Sequence, residues 1–161
     1  MNASAPTPDT LANATFVLHL GSTLFLVGLI WTIQVVHYPL FGSVGAAGFA
    51  EYERLHAMRI TTIVAPAMLL ELITAGLLLV ARPPFLPRAA VLAGIALLAV
   101  IWLSTALIQI PLHGRLAAGF DPAVHASLVA SNWIRTVAWS LRGGLLLFFT
   151  ANGLSQLCRQ P

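Results

Sequence analysis

Ile60-Thr61-Thr62-Ile63-Val64-Ala65-Pro66-Ala67-Met68-Leu69-Leu70-Glu71-Leu72-Ile73-Thr74-Ala75-Gly76-Leu77-Leu78-Leu79-Val80-Ala81 carries one ionisable side chain, Glu71. A helix rising ~1.5 Å per residue crosses ~30 Å of hydrocarbon in ~20 residues, so this stretch has the length of a membrane span. Its apolar residues do not alternate with polar ones, which removes the barrel strand as the other way to satisfy every backbone group in lipid. Runs of the same character at residues 16–36, 89–110 and 134–151 predict an all-α fold, a bundle of four transmembrane helices.

Composition points the same way. Of the 161 residues 58% are hydrophobic and 8% charged, against roughly 25% charged in a soluble domain. So few charges cannot cover a water-soluble surface. One domain is expected over residues 14–161, behind a tail of residues 1–13, rich in Ala, Ser, Thr and Pro, that reads as disordered. The first run has no basic residue before it and is too long for the core of a secretory signal, so it is read as a retained span. The net charge of +3 comes from single arginines without a clustered basic face. That pattern argues against nucleic acid and for anionic lipid headgroups as counter-charges. The one cysteine, Cys158, leaves no internal disulfide and no thiolate metal site.

The loops after the first and third spans resemble each other. Pro39-Leu40-Phe41-Gly42-Ser43-Val44-Gly45-Ala46-Ala47-Gly48-Phe49 lies beside Pro111-Leu112-His113-Gly114-Arg115-Leu116-Ala117-Ala118-Gly119-Phe120 with a one-residue gap. Arg59-Ile60-Thr61-Thr62-Ile63-Val64-Ala65 echoes Ile134-Arg135-Thr136-Val137-Ala138, and Trp31 and Trp102 precede the two prolines. These likenesses predict an internal repeat, two helix-loop-helix hairpins related by an axis along the membrane normal. Short interfacial helices are expected ahead of spans two and four. Residues 49–58 mix apolar side chains with Glu51, Glu53, Arg54 and His56, and Asp121-Pro122 reads as an N-cap followed by proline at the first helical position. The prolines of residues 82–88 make a tight connector between the hairpins. With no arginine before the first span, the long loops of this multi-pass chain are placed on the cytoplasmic side.

Antiparallel spans gather the polar residues at one membrane face. Gln34, His37 and Tyr38 close span one, Tyr52, His56 and Arg59 open span two, Gln109 and His113 close span three, and Asn132 and Arg135 open span four. Asn132, Arg135, Trp139 and Arg142 share one helix face, and a polar stripe on a spanning helix should look inward. Counting ~1.5 Å per residue puts Glu71 about 18 Å and Arg142 about 15 Å below that face. A lone charge at such depth costs at least ~2.5 to 3.5 kcal/mol, so the two are expected to form a buried ion pair, with Ser104 as a further hydrogen-bond partner. His37, His56 and His113 supply three imidazoles from three helices. They are candidate ligands for zinc, iron or copper, with Glu53 or a water completing the shell. The alternative is interfacial histidines bonded to their neighbours, and no HExxH motif accompanies them.

As a catalytic set, the three histidines would be acid/base groups, with Arg59, Arg135 and Asn132 holding an anionic or carbonyl oxygen. Tyr38, Gln109 and Trp139 would line the cofactor or substrate pocket. His19 and His125 read as incidental, and Trp31, Trp102 and Trp133 as belt and packing residues.

Ile110-Pro111-Leu112-His113-Gly114-Arg115-Leu116, followed by Leu128-Val129-Ala130-Ser131-Asn132-Trp133-Ile134-Arg135-Thr136, resembles the small four-span membrane proteins grouped with fungal anthrone oxygenases. That group has a Pro-x-Asn-x-x-Leu segment ending span three and a Trp- and Asn-rich stretch with arginine opening span four. Here His113 stands at the asparagine position, and Asn132-Trp133 comes in altered order. The resemblance implies Pro111, His113, Asn132 and Arg135 as site residues and a flat hydrophobic substrate.

Together these readings predict a small membrane oxidoreductase or oxygenase acting on a hydrophobic substrate in a polar pocket at one membrane face, with a metal ion as the candidate cofactor. The alternative is a non-catalytic binder of lipid, quinone or haem, or an accessory subunit of a membrane complex. A transporter would need an oligomer to widen the pathway that four spans enclose.

Overall fold

The structure, a computed structural model, describes residues 8–159, and among them there are helices and no strand. Helix α1 (Pro8–Thr32) opens on a proline whose missing N–H would be unsatisfied in the first turn anyway. Residues 8–13 of the expected tail are therefore helical, and residues 1–7 lie outside the described residues. A π-helical turn follows over Ile33–His37, where the N–H of Tyr38 bonds to Ile33 O, five residues back. The cause is next in the chain: Pro39 offers no N–H, and its ring clashes with the preceding turn, so the helix widens upstream. The short α2 (Tyr38–Leu40) and a 3-10 turn, Phe41–Ser43, bring the chain to Gly45, whose φ of 84° is a conformation that suits glycine.

Two expected short helices do not stand apart. Nothing between Gly48 and Arg59 breaks a helix, so residues 49–58 fuse with span two in the single rod α3 (Ala46–Val80). The 82–88 connector turns the chain into α4 (Arg88–Ser104). A second π-turn, Thr105–Gln109, precedes Pro111 just as the first precedes Pro39, and the N–H of Ile110 bonds to Thr105 O. Then come α5 (Ile110–Leu116) and, after Gly119, α6 (Pro122–Leu157). The Asp121 side chain caps α6 by accepting from the N–H groups of Ala123 and Val124. The segment after Asp121 is not a separate helix but the first turns of α6, since no breaker follows Pro122.

Around the bundle α1 packs on α3, α3 on α4, α4 on α6, and α6 back on α1. The core has two parts. Around Leu26, Tyr38, Phe41, Phe49, Leu128 and Trp139 it fills the end where the π-turns lie, and around Phe16, Leu78, Leu86 and Leu146 it fills the connector end. Phe49 and Phe120, which follow Gly48 and Gly119 in the two similar loops, touch edge to face with ring centroids 5 Å apart to the nearest ångström, at 4.8 Å.

The outside is apolar: Leu107 is 71% and Phe148 60% exposed. Three helical stretches, Thr10–Ser43, Ala46–Val80 and Arg88–Leu116, are long and apolar enough to cross a membrane. The fourth rod, α6, has the length, but its apolar run is diluted by Asn132, Arg135 and Arg142, all buried against the other helices.

Candidate functional site

The end of the bundle holding the π-turns collects most of the polar side chains, in two groups. The first is buried and joins α2, α3, α5, α6 and the first π-turn. Glu53 on α3 is 0% exposed, and its Oε1 accepts from His113 Nδ1 of α5 at 2.5 Å. Because a carboxylate only accepts, the neutral His113 imidazole is assigned its proton on Nδ1, which leaves Nε2 to accept from the Tyr38 hydroxyl at 2.8 Å. The same phenolic oxygen accepts from Arg135 Nη2 at 3.2 Å. Arg135 is held by Asn132, whose Oδ1 accepts from Nε at 2.9 Å and from Nη2 at 2.5 Å. Asn132 Nδ2 then donates to Gln34 Oε1 at 2.9 Å, and Gln34 Nε2 to the Val129 carbonyl at 3.1 Å. Beneath Tyr38, His125 Nε2 donates to its carbonyl at 2.8 Å. Among these atoms Glu53 Oε2 is buried with no partner.

The second group borders a surface groove, with His56 buried and His37 half-buried. His37 Nε2 and His56 Nδ1 stand 2.8 Å apart and share one proton bond. Both rings line a groove of about 340 Å³ whose walls are Leu55, Ile60 and Ile63, with Tyr52 and Arg59 as its other polar members. Arg59 is exposed, and its guanidinium has no hydrogen bond or ion pair to a described residue. His56 also lies beside His113, with ring centroids 5.5 Å apart.

The three imidazoles thus adjoin, but as bonding partners and not as a ligand set. The facing nitrogens of His37 and His56 are spent on each other, and both nitrogens of His113 are spent on Tyr38 and Glu53. Among the described residues no three His, Cys, Asp or Glu side chains are arranged to hold a metal ion, which corrects the expectation of a three-histidine metal centre.

The other expected residues fall in several places. Arg59 is on the groove, whereas Arg135 and Asn132 are buried behind it. Tyr38 belongs to the buried chain and not to the groove wall. Gln109 is buried in the helix seam, where it accepts from Ser104 at 2.9 Å and donates to Ser131 at 3.4 Å. Neither Gln109 nor Trp139 lines the pocket expected for them. Trp139 lies deeper, where its Nε1 donates to Glu71 Oε2 at 3.1 Å.

Glu71 is also met by the Thr23 hydroxyl at 2.7 Å and by Arg142 Nε at 3.1 Å. Arg142 further donates to the Gly94 carbonyl and, through Nη2, to His19 Nε2 at 3.3 Å, while His19 Nδ1 bonds the Thr74 hydroxyl at 2.8 Å. Ser104, bonded to Gln109, takes no part in this cluster.

Glu53, expected only to complete a metal shell, and His19 and His125, expected to be incidental, all take part in these bonds. A signal for Glu53 was present: Glu53-Arg54-Leu55-His56 sets a carboxylate and an imidazole on one helix face three residues apart. For Thr23 and Thr105, the latter bonded to Arg135 Nη1 at 3.4 Å, there was none.

No family model, curated protein or solved structure matches the chain.

Proposed function

We propose that the chain is an integral membrane protein of four spans whose π-turn end acts on a hydrophobic small molecule as a small oxidoreductase or oxygenase, its histidines taking a proton from the substrate so that dioxygen, the oxidant, takes the electrons. The observation that carries this is the His37–His56 pair on the floor of an apolar groove. Two imidazoles sharing one proton have a property that a single one lacks. Whichever ring donates to the other, one outer nitrogen carries a proton and the other a lone pair. The pair can take a proton at one end and release one at the other without leaving a net charge in an apolar place. The unpaired Arg59 would hold the substrate oxygen on which negative charge develops.

The groove is at the small end of the ~300–1,000 Å³ usual for small-molecule sites, which suits one flat ring system reached from the lipid. The resemblance to the anthrone oxygenase group agrees with that choice. The matched π-turns and the Phe49–Phe120 contact support two related hairpins, and the arginine distribution favours a cytoplasmic π-turn end.

The reading is tested on detergent-purified protein with 1-naphthol as ligand and menadiol as an oxidisable substrate. Saturable naphthol binding is expected, with loss in Ile63→Phe, which fills the groove. Oxygen-dependent menadiol consumption above background is expected, with loss in His56→Gln while naphthol binding persists. Binding without turnover assigns the non-catalytic alternative, and absence of saturable binding refutes the groove altogether.

A further inference from the structure

We propose that Tyr38 is a redox-active tyrosine, which gives up an electron to a one-electron oxidant while its phenolic proton moves to His113 Nε2. A phenol that loses an electron becomes a very strong acid, so its oxidation is easy only where a base already holds the proton. Tyr38 has that base at 2.8 Å, with the correct lone pair turned toward it because Glu53 fixes the proton of His113 on the far nitrogen. The imidazolium that forms stands against a fully buried carboxylate, where attraction between opposite charges is strong. Arg135 keeps a donor on the phenolic oxygen and so fixes the ring before and after the step. Burial to 3% exposure shields the resulting phenoxyl from water.

The other tyrosine has none of this. Tyr52 is only partly buried on the groove, and its hydroxyl has no hydrogen-bond partner among the described residues.

The oxidant belongs to the class of oxygen-centred radicals of hydrophobic molecules, such as a lipid peroxyl. Tyr38 loses one electron from its ring and one proton to His113. The peroxyl takes that electron, plus a proton from the medium, and leaves as the hydroperoxide. The inference rests on the buried chain and not on the groove, so a failed naphthol experiment leaves it standing.

The chain has two tyrosines, which makes the test direct. Detergent-purified full-length protein is oxidised by flash-generated ruthenium(III) tris-bipyridine with persulfate, and the frozen sample is read by electron paramagnetic resonance. A tyrosyl signal is expected in the wild type and in Tyr52→Phe, where Tyr38 is the only source, and none in Tyr38→Phe. His113→Gln, which keeps a polar side chain there but cannot take up the proton, is expected to slow radical formation and to abolish its dependence on heavy water. A signal lost in Tyr52→Phe and kept in Tyr38→Phe would overturn the proposal. So would a wild type showing only tryptophan radicals, or a yield and rate in His113→Gln equal to those of the wild type. Tyr52→Phe changes a partly buried residue on the groove, so the central measurement does not depend on whether Tyr38→Phe folds.

Discussion

Arg142 Nε lies 3.1 Å from Glu71 Oε1 in the middle of the bundle, tying α6 to α3 where both side chains are almost wholly withdrawn from the surface. Every oxygen of that carboxylate is used, by Thr23, Trp139 and the arginine itself. Removing one member of such a pair leaves the other as an uncompensated buried charge, at a cost of about 3–5 kcal/mol. Arg142→Met and Glu71→Leu are each expected to destabilise the detergent-solubilised protein by that order. The double variant should lose less than the sum of the two. Chemical unfolding followed by circular dichroism measures this, and additive losses would show that the two charges do not depend on each other.

A second prediction concerns Asn132, which links an arginine to an amide. Its Oδ1 takes two donors from Arg135 and its Nδ2 feeds Gln34. A hydrogen bond to a charged group is worth about 1.5–3 kcal/mol, so Asn132→Ala should cost at least that. By freeing Arg135 it should also weaken the arginine's bond to the Tyr38 hydroxyl. Asn132→Asp keeps the acceptor and loses the donor to Gln34, so it should retain more stability than Asn132→Ala. The reverse order in thermal unfolding would show that burying a carboxylate against the Gln34 oxygen costs more than its bonds to Arg135 return.

Two glycines give opposite expectations from the same substitution. A Cβ on Gly153 would stand 2.7 Å from Phe85 Cγ, whereas one on Gly76 meets nothing within 4 Å. Gly153→Ala therefore forces the Phe85 ring to shift, a strain of about 1–3 kcal/mol. Gly76→Ala removes backbone freedom inside a helix and should stabilise by roughly 0.5–1 kcal/mol. Melting temperatures moving in the same direction for both variants would contradict this packing.

The hydroxyl-side anchor of Tyr38 is Arg135, and its backbone anchor is His125, which donates to the Tyr38 carbonyl. His125→Ala removes an ordinary hydrogen bond, worth about 0.5–1.5 kcal/mol. It should leave naphthol binding in the groove unchanged, because His125 does not line it. Loss of binding in His125→Ala would join the buried chain and the groove into one cooperative unit.

The apolar runs were legible because lipid-facing sides demand uninterrupted hydrophobicity, and the level of Glu71 with Arg142 was legible because helical rise converts residue number into depth. The inward stripe of α6 followed from helical spacing alone. What could not be read was partner choice. Glu53 with His113, and His37 with His56, depend on how far each helix is turned about its own axis when it docks, and no count along one helix supplies that angle. The placements of Gln109, Trp139 and Ser104 have the same origin: each is at the expected level and bonds a neighbour that the count did not supply. The expected interfacial helices failed for a local reason, since a change of polarity along a helix is not a break in it.

The π-turns at Ile33–His37 and Thr105–Gln109 each spend one residue more than an α-helix needs. Since a residue corresponds to about 100° of helix rotation, the wider turn absorbs that surplus, and side chains beyond it keep the facing of those before it. One rod can then present Leu26 and Ile30 to the core and, about two turns beyond Ile30, aim Tyr38 at His113. Deleting Val35 would remove the surplus and close the turn as an ordinary α-helix, with Tyr38 still turned toward the core side that Leu26 faces.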